Sequence, residues 1–247
     1  MSLVNEGLLE SFMGEFYGYG DYDGDFWLVG KEEGGAGSVS EIALHLTTWD
    51  KQGRPELADV EAFQGQKGES KYFTEKAPLH PTWRGLVRLV LAAEKGASPT
   101  TEEVRNYQAE HLARRPSNTA MLELLPLPAP RVSHDDDWLY QSISQRPELD
   151  SRSSYMEWSA PWRAQHLRDR LLENQPRAVF FYSTDLWYIT WWDHIAVADF
   201  ERITVGDRKI YLGKDAGTVF VVMAHPSAPG VTNAFLDEVG MVVHDAV

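Results

Sequence analysis

Two groups of residues in this chain have the types and placing that acid–base chemistry needs. The first is Gly30-Lys31-Glu32-Glu33-Gly34-Gly35-Ala36-Gly37, where the adjacent carboxylates Glu32 and Glu33 sit among glycines. A carboxylate held at the end of a strand can orient a water molecule or take its proton. Two solvated acids on a loop are the other reading, and both stay open. The second group is His225-Pro226-Ser227-Ala228-Pro229-Gly230, followed by Asn233. A histidine stiffened by proline can donate a hydrogen bond to developing negative charge, although neighbouring backbone can equally well satisfy such a ring.

Other chemistries fit less well. The glycine-rich loop follows neither GxGxxG nor GxxxxGK[ST], and its two carboxylates repel phosphate. Asp21, Asp23, Asp25 and Glu32 have calcium-loop spacing, but the place that requires glycine holds Phe26. His134 beside the acidic run 135–137, and His194 beside Asp193, lack metal-ligand spacing, so no metal is expected. No other cofactor is expected. The absence of cysteine removes disulfides, thiolate nucleophiles, cysteine zinc sites and iron–sulfur clusters.

The elements that would position these residues are four apolar runs bounded by turn residues, at 26–30 (FWLVG), 120–127 (AMLELLPL), 178–183 (AVFFYS) and 218–224 (TVFVVMA). Each has the character of a strand buried on both faces. Between them lie helical patterns at 83–94, 101–114, 160–174 and 185–200; the second opens on Thr-Thr-Glu-Glu, a capping start. Strands alternating with helices imply an α/β fold with a mostly parallel sheet covered on both sides. Ligands then bind beyond the carboxyl ends of the strands, where both groups of residues fall. Residues 202–212 have a hairpin pattern, and the polar stretches 48–71 and 131–157 are expected as surface insertions. No internal repeat is visible.

With 247 residues the chain can bury a full core, and a single domain over 1–247 is expected. No stretch is apolar enough for a membrane span, and the N-terminus lacks a signal-peptide pattern, so a cytoplasmic protein without a membrane partner is expected. The net charge of −14 speaks against indiscriminate nucleic-acid binding. Polyanion contact would fall to Arg152, Arg163, Arg168, Arg170 and Arg177, or to Arg114, Arg115 and Arg131.

Taken together, these pieces resemble the uracil-DNA glycosylase superfamily. The resemblance rests on GKEEGG at 30–35, LELLPLPAP at 122–130, RAVFFYS at 177–183 and HPSAPGVTN at 225–233, in that order. It spans most of the chain, and only HPS in its strand context is fairly specific. It implies a three-layer α/β/α sandwich around a central four-stranded, mostly parallel sheet. It also implies that His225 stabilises the anion of a leaving base and that Glu32 or Glu33 orients the attacking water. Ser227 onward matches the loop that wedges into a duplex, and Gly30, Gly34, Glu123, Ser227 and Asn233 are the expected base-binding residues. Two departures stand out: the proline usual in the first motif is missing, and Glu123 falls where the family reads uracil with asparagine. An ionised glutamate only accepts hydrogen bonds and should prefer an exocyclic amino group to uracil's O4, unless burial keeps it protonated.

The function implied is hydrolysis of an N-glycosidic bond in a damaged or modified base, nucleoside or nucleotide, free or in single-stranded nucleic acid. Two alternatives stay open. One is a non-catalytic module binding a nucleotide or nucleic-acid end. The other is an interaction protein whose partner meets the aromatic groups at 16–19 and 187–192; core packing is the simpler role for those aromatics.

Overall fold

The computed structural model describes residues 4–130 and 138–247. Its strands are β1 (Gly18–Gly20), β2 (Phe26–Gly30), β3 (Leu57–Ala58), β4 (Thr119–Glu123), β5 (Ala178–Phe181), β6 (Glu201–Val205), β7 (Arg208–Asp215) and β8 (Thr218–Val222). They form one sheet in the order β3-β1-β4-β2-β5-β8-β7-β6. Within it β4, β2, β5 and β8 run parallel, whereas β1 is antiparallel to β4 and β7 is antiparallel to both β8 and β6.

The α/β class stands. The expected four-stranded sheet is corrected to eight strands in a mixed sheet among the described residues. The reason is physical. β1 and β3 are too short to show a periodicity, and the hairpin β6–β7 does not end on itself but continues the sheet through the β7–β8 pairing. Every residue of β2, β5 and β8 is buried, as their uninterrupted apolar runs require of strands covered on both faces.

The helices are α1 (Glu6–Glu15), α2 (Val39–Lys51), α3 (Val60–Gln66), α4 (Pro81–Lys95), α5 (Thr101–Glu110), α6 (Arg152–Asn174), α7 (Leu186–Ile195) and α8 (Asn233–Ala246). α4 starts with His80 as its cap and Pro81 in its first turn, and ends on Gly96 in the left-handed conformation. α5 carries the expected capping box, with Thr100 and Glu103 satisfying each other's backbone N–H. α6 begins eight residues before the expected start and carries Pro161 inside it. There Ser151 caps the Ser154 N–H, and the first turns bury Arg152 and Tyr155, so packing and capping outweigh the bond that proline removes.

Two stretches expected as surface insertions contribute to the core. Residues 48–71 include the end of α2, β3 and α3, and bury Trp49, Leu57, Val60 and Phe63. Of 131–157, residues 131–137 lie outside the described residues, and the remainder buries Trp138, Tyr140, Leu149 and Tyr155. The aromatics Phe16, Tyr17 and Tyr19 are also core, so the 16–19 group offers no partner surface. No helix among the described residues is long and apolar enough to cross a membrane.

Candidate functional site

The carboxyl ends of the four parallel strands meet one cavity of about 580 Å³. Glu32, Glu33 and Gly34 follow β2, Glu123 ends β4, Tyr182 follows β5 and His225 follows β8, and all six line it. This is where an open parallel sheet places a ligand.

Glu32 and Glu33 are neighbours in sequence but engage different partners. Glu33 accepts from Tyr19 Oη at 2.6 Å, Gln64 Nε2 at 3.0 Å and Lys67 Nζ at 3.2 Å. Burial alone would raise its pKa, but Lys67, His45 and these donors hold the carboxyl down at about 2. Lys67 also lies 3.1 Å from His45 Nδ1, and burial holds that ring neutral, with a pKa of about 4. A carboxylate with its lone pairs so fully engaged is a poor base. Glu33 is therefore the anchor of a polar cluster rather than a proton acceptor.

Glu32 is different. Its Oε1 receives Arg152 Nη2 at 2.6 Å, its Oε2 has no hydrogen-bond partner, and its side chain is 1% exposed. Burial pushes its carboxyl above the ordinary value of 4.5, and Arg152 pulls the other way. One oxygen is thus held in place while the other keeps its accepting capacity.

Glu123 accepts from Tyr182 Oη at 3.2 Å, and its Oε2 also lacks a partner. Burial and the Glu33 carboxylate push its pKa well above the carboxylate range. Glu123 thus meets the exception stated for a buried glutamate: once protonated, the carboxyl accepts through one oxygen and donates through the other, as an amide does. Gly30 lies directly beneath. A Cβ there would collide with both Tyr182 Oη and Glu123 Oε2, so the expected base-binding glycine acts as the floor on which these two groups meet.

His225 accepts the Ser227 backbone N–H at Nδ1, at 3.1 Å. A backbone N–H can only donate, so in the neutral ring the proton sits on Nε2. Burial, with the Lys31 charge in second place, lowers the His225 pKa and keeps the ring neutral at pH 7. The Tyr182 ring packs against it edge to face at 5.5 Å.

Gly30 is itself outside the cavity lining, and two further expected base-binding residues fall elsewhere. Ser227 is exposed and outside the cavity lining, with its Oγ 3.3 Å from Thr82 Oγ1. Asn233 is exposed as the first residue of α8. His134 lies outside the described residues, and no metal-holding group of side chains occurs among them.

Sequence reasoning missed Tyr182, Lys67, His45 and His80, and named Arg152 only for polyanion contact. Tyr182 sat inside an expected strand, and Lys67 inside an expected insertion. His80 carried a visible signal: His80-Pro81-Thr82 repeats the His-Pro-hydroxyl triplet of 225–227.

The basic residues nominated for polyanion contact are largely occupied. Arg152 holds Glu32, and Arg163 donates to the carbonyls of Phe16, Glu123 and Leu124. Arg170 binds Glu56 and Glu173, Arg168 the His194 carbonyl, and Arg114 both Asp59 and Glu61. Arg115 donates to the Leu57 carbonyl, Arg177 lies 3.9 Å from Asp25, and Arg131 lies outside the described residues.

No protein-family model matches the chain, nor does any curated protein or solved structure.

Proposed function

We propose that this protein hydrolyses an N-glycosidic bond, acting on a nucleoside rather than on duplex DNA, in a cavity that resembles the site of the uracil-DNA glycosylases. The observation that carries the reading is the convergence of Glu32, Glu123 and His225 on one cavity, each from a different strand end. Water attacks the anomeric carbon of the sugar while Glu32 Oε2 accepts its proton. The C–N bond breaks with its electrons going to the base, and the His225 Nε2–H supports the charge that develops there. Glu123, neutral and backed by Tyr182, meets the base edge with one acceptor and one donor. The acidic surface and the occupied arginines favour a small substrate, since binding nucleic acid depends on cations free to neutralise phosphate.

The test is release of free base, followed by chromatography, from deoxyuridine, inosine, xanthosine and cytidine. Single- and double-stranded oligonucleotides carrying uracil or hypoxanthine serve as comparison. His225→Ala should lower the rate about a hundredfold or more, and Glu32→Gln comparably, with the fold intact. A His225→Ala variant that turns over an identified substrate at the wild-type rate would remove the catalytic assignment. If nucleosides bind but no base is released from any of them, the protein is the non-catalytic module instead.

A further inference from the structure

Three histidines line the cavity, His45, His80 and His225, and the proposed reaction uses only the last. His45 belongs to the Glu33–Lys67 cluster, which leaves His80. His80 lines the cavity from the start of α4. Its Nδ1 accepts the Trp83 backbone N–H at 3.4 Å, as His225 Nδ1 accepts that of Ser227 at 3.1 Å. Both bonds come from donors that cannot reverse, so both neutral rings carry their proton on Nε2, the nitrogen not held by the backbone. Burial is the main cause that lowers the pKa of each.

The two histidines belong to matching triplets, His80-Pro81-Thr82 and His225-Pro226-Ser227, and these triplets meet. Thr82 Oγ1 and Ser227 Oγ lie 3.3 Å apart. A Cβ at Gly85 would come within 2.6 Å of Pro226 Cβ, so glycine permits the close approach of α4 to the second triplet. The His80 ring is fixed by aromatic neighbours, Trp83 at 4.4 Å between centroids and Tyr72 edge-on at 5.1 Å, and both of these line the cavity.

Three of the carboxylates around the rings are paired with cations. Glu33 faces Lys67, Glu32 faces Arg152, and Glu69 at the cavity lining pairs with Lys71 at 2.9 Å. Glu41, also in the lining, instead accepts the Gly37 backbone N–H. No cation of the lining is left without a carboxylate, so the interior offers donors but no net positive charge.

We propose that His80 and His225 form a paired donor that grips one uncharged, oxygen-rich ligand between two imidazole Nε2–H groups, the ligand class being free nucleosides and not their phosphates. The inference rests on the nucleoside reading of this cavity and adds His80 as a residue that determines which ligand is held. His225 serves the base, and His80 serves an oxygen elsewhere on the same molecule.

His80→Asn is the discriminating variant. Asparagine is among the best helix caps, so it keeps an acceptor for the Trp83 N–H while removing the Nε2 donor. Calorimetric titration with deoxyuridine, inosine, cytidine and uridine 5′-monophosphate should show at least one nucleoside binding the wild type more tightly than the monophosphate does. His80→Asn should keep the wild-type melting temperature and lose about tenfold in affinity for that nucleoside. Long-range proton–nitrogen NMR spectra should show both rings as Nε2–H tautomers in the free protein, with both Nε2 signals moving at saturation.

The proposal is overturned if His80→Asn binds as the wild type does, if His80 carries its proton on Nδ1, if the monophosphate binds best, or if no nucleoside of the set binds. Binding that weakens in His80→Asn without base release from any substrate would refute hydrolysis and leave the paired donor standing. Base release that His80→Asn leaves unchanged in both KM and kcat would do the reverse.

Discussion

Glu123 shows how much a single protonation state decides. Its proton is retained in the folded protein because the carboxyl is buried beside the Glu33 carboxylate, whereas in the unfolded chain the same group ionises near 4.5. A carboxyl whose folded pKa is raised weakens the fold once pH exceeds its unfolded value, since unfolding then releases the proton. Glu123→Gln removes that titration and keeps both the shape and the acceptor for Tyr182. We expect it to stabilise the protein at pH 7 by about 1–3 kcal/mol, with the gain shrinking toward zero as pH falls to 4. Urea unfolding at the two pH values measures this; an equal change at both would mean that Glu123 is ionised in the native state. The residue type and its place at the end of an apolar run were legible in the sequence. That burial could keep it protonated was legible too; the added push from Glu33 was not, because Glu33 lies 90 positions away in the chain and is brought near by the β2–β4 pairing.

At the scale of elements, the strands that carry the site were legible because fully buried parallel strands announce themselves as apolar runs. The outer strands and the roles of the two acids were not. β1 holds only Gly18, Tyr19 and Gly20, too few residues for a pattern, yet its Tyr19 donates to Glu33 and so separates the acid that anchors from the acid that can react. α4 shows the converse: its periodicity was plain, but the purpose of Gly85 inside it was not. Glycine in a helix interior costs about 1 kcal/mol relative to alanine, so its presence needs a reason, and that reason is Pro226. Gly85→Ala should leave the melting temperature within a few degrees, as improved propensity offsets the new contact, while displacing the loop that carries His225. A shift of about 1 Å in a reacting group can cost on the order of a hundredfold in rate. We expect Gly85→Ala to lower base release by at least about tenfold; an unchanged rate with unchanged stability would show that α4 does not set the position of His225.

For the whole molecule, the net charge of −14 and the occupied arginines make a single statement about substrate size. Extruding a base from a duplex costs a few kcal/mol, which must be recovered through contacts to the phosphates and the flipped base. We expect little or no excision of uracil from double-stranded DNA at physiological salt, and a turnover of small nucleosides that hardly varies between 50 and 200 mM salt. Efficient duplex excision, or a steep salt dependence of nucleoside turnover, would contradict this.

The strand order also governs when the site can exist. β2, which delivers Glu32 and Glu33, lies between β4 and β5, and neither neighbour is close to it in sequence. About 150 residues separate the end of β2 from the end of β5. At roughly 5–20 residues per second of synthesis, the run Phe26–Gly30 waits on the order of ten to thirty seconds for its second partner. A strand so apolar, emerging early and paired late, exposes the nascent chain to misassembly throughout that interval. Fragments ending before β5 should therefore be handled by chaperones and be insoluble when made alone.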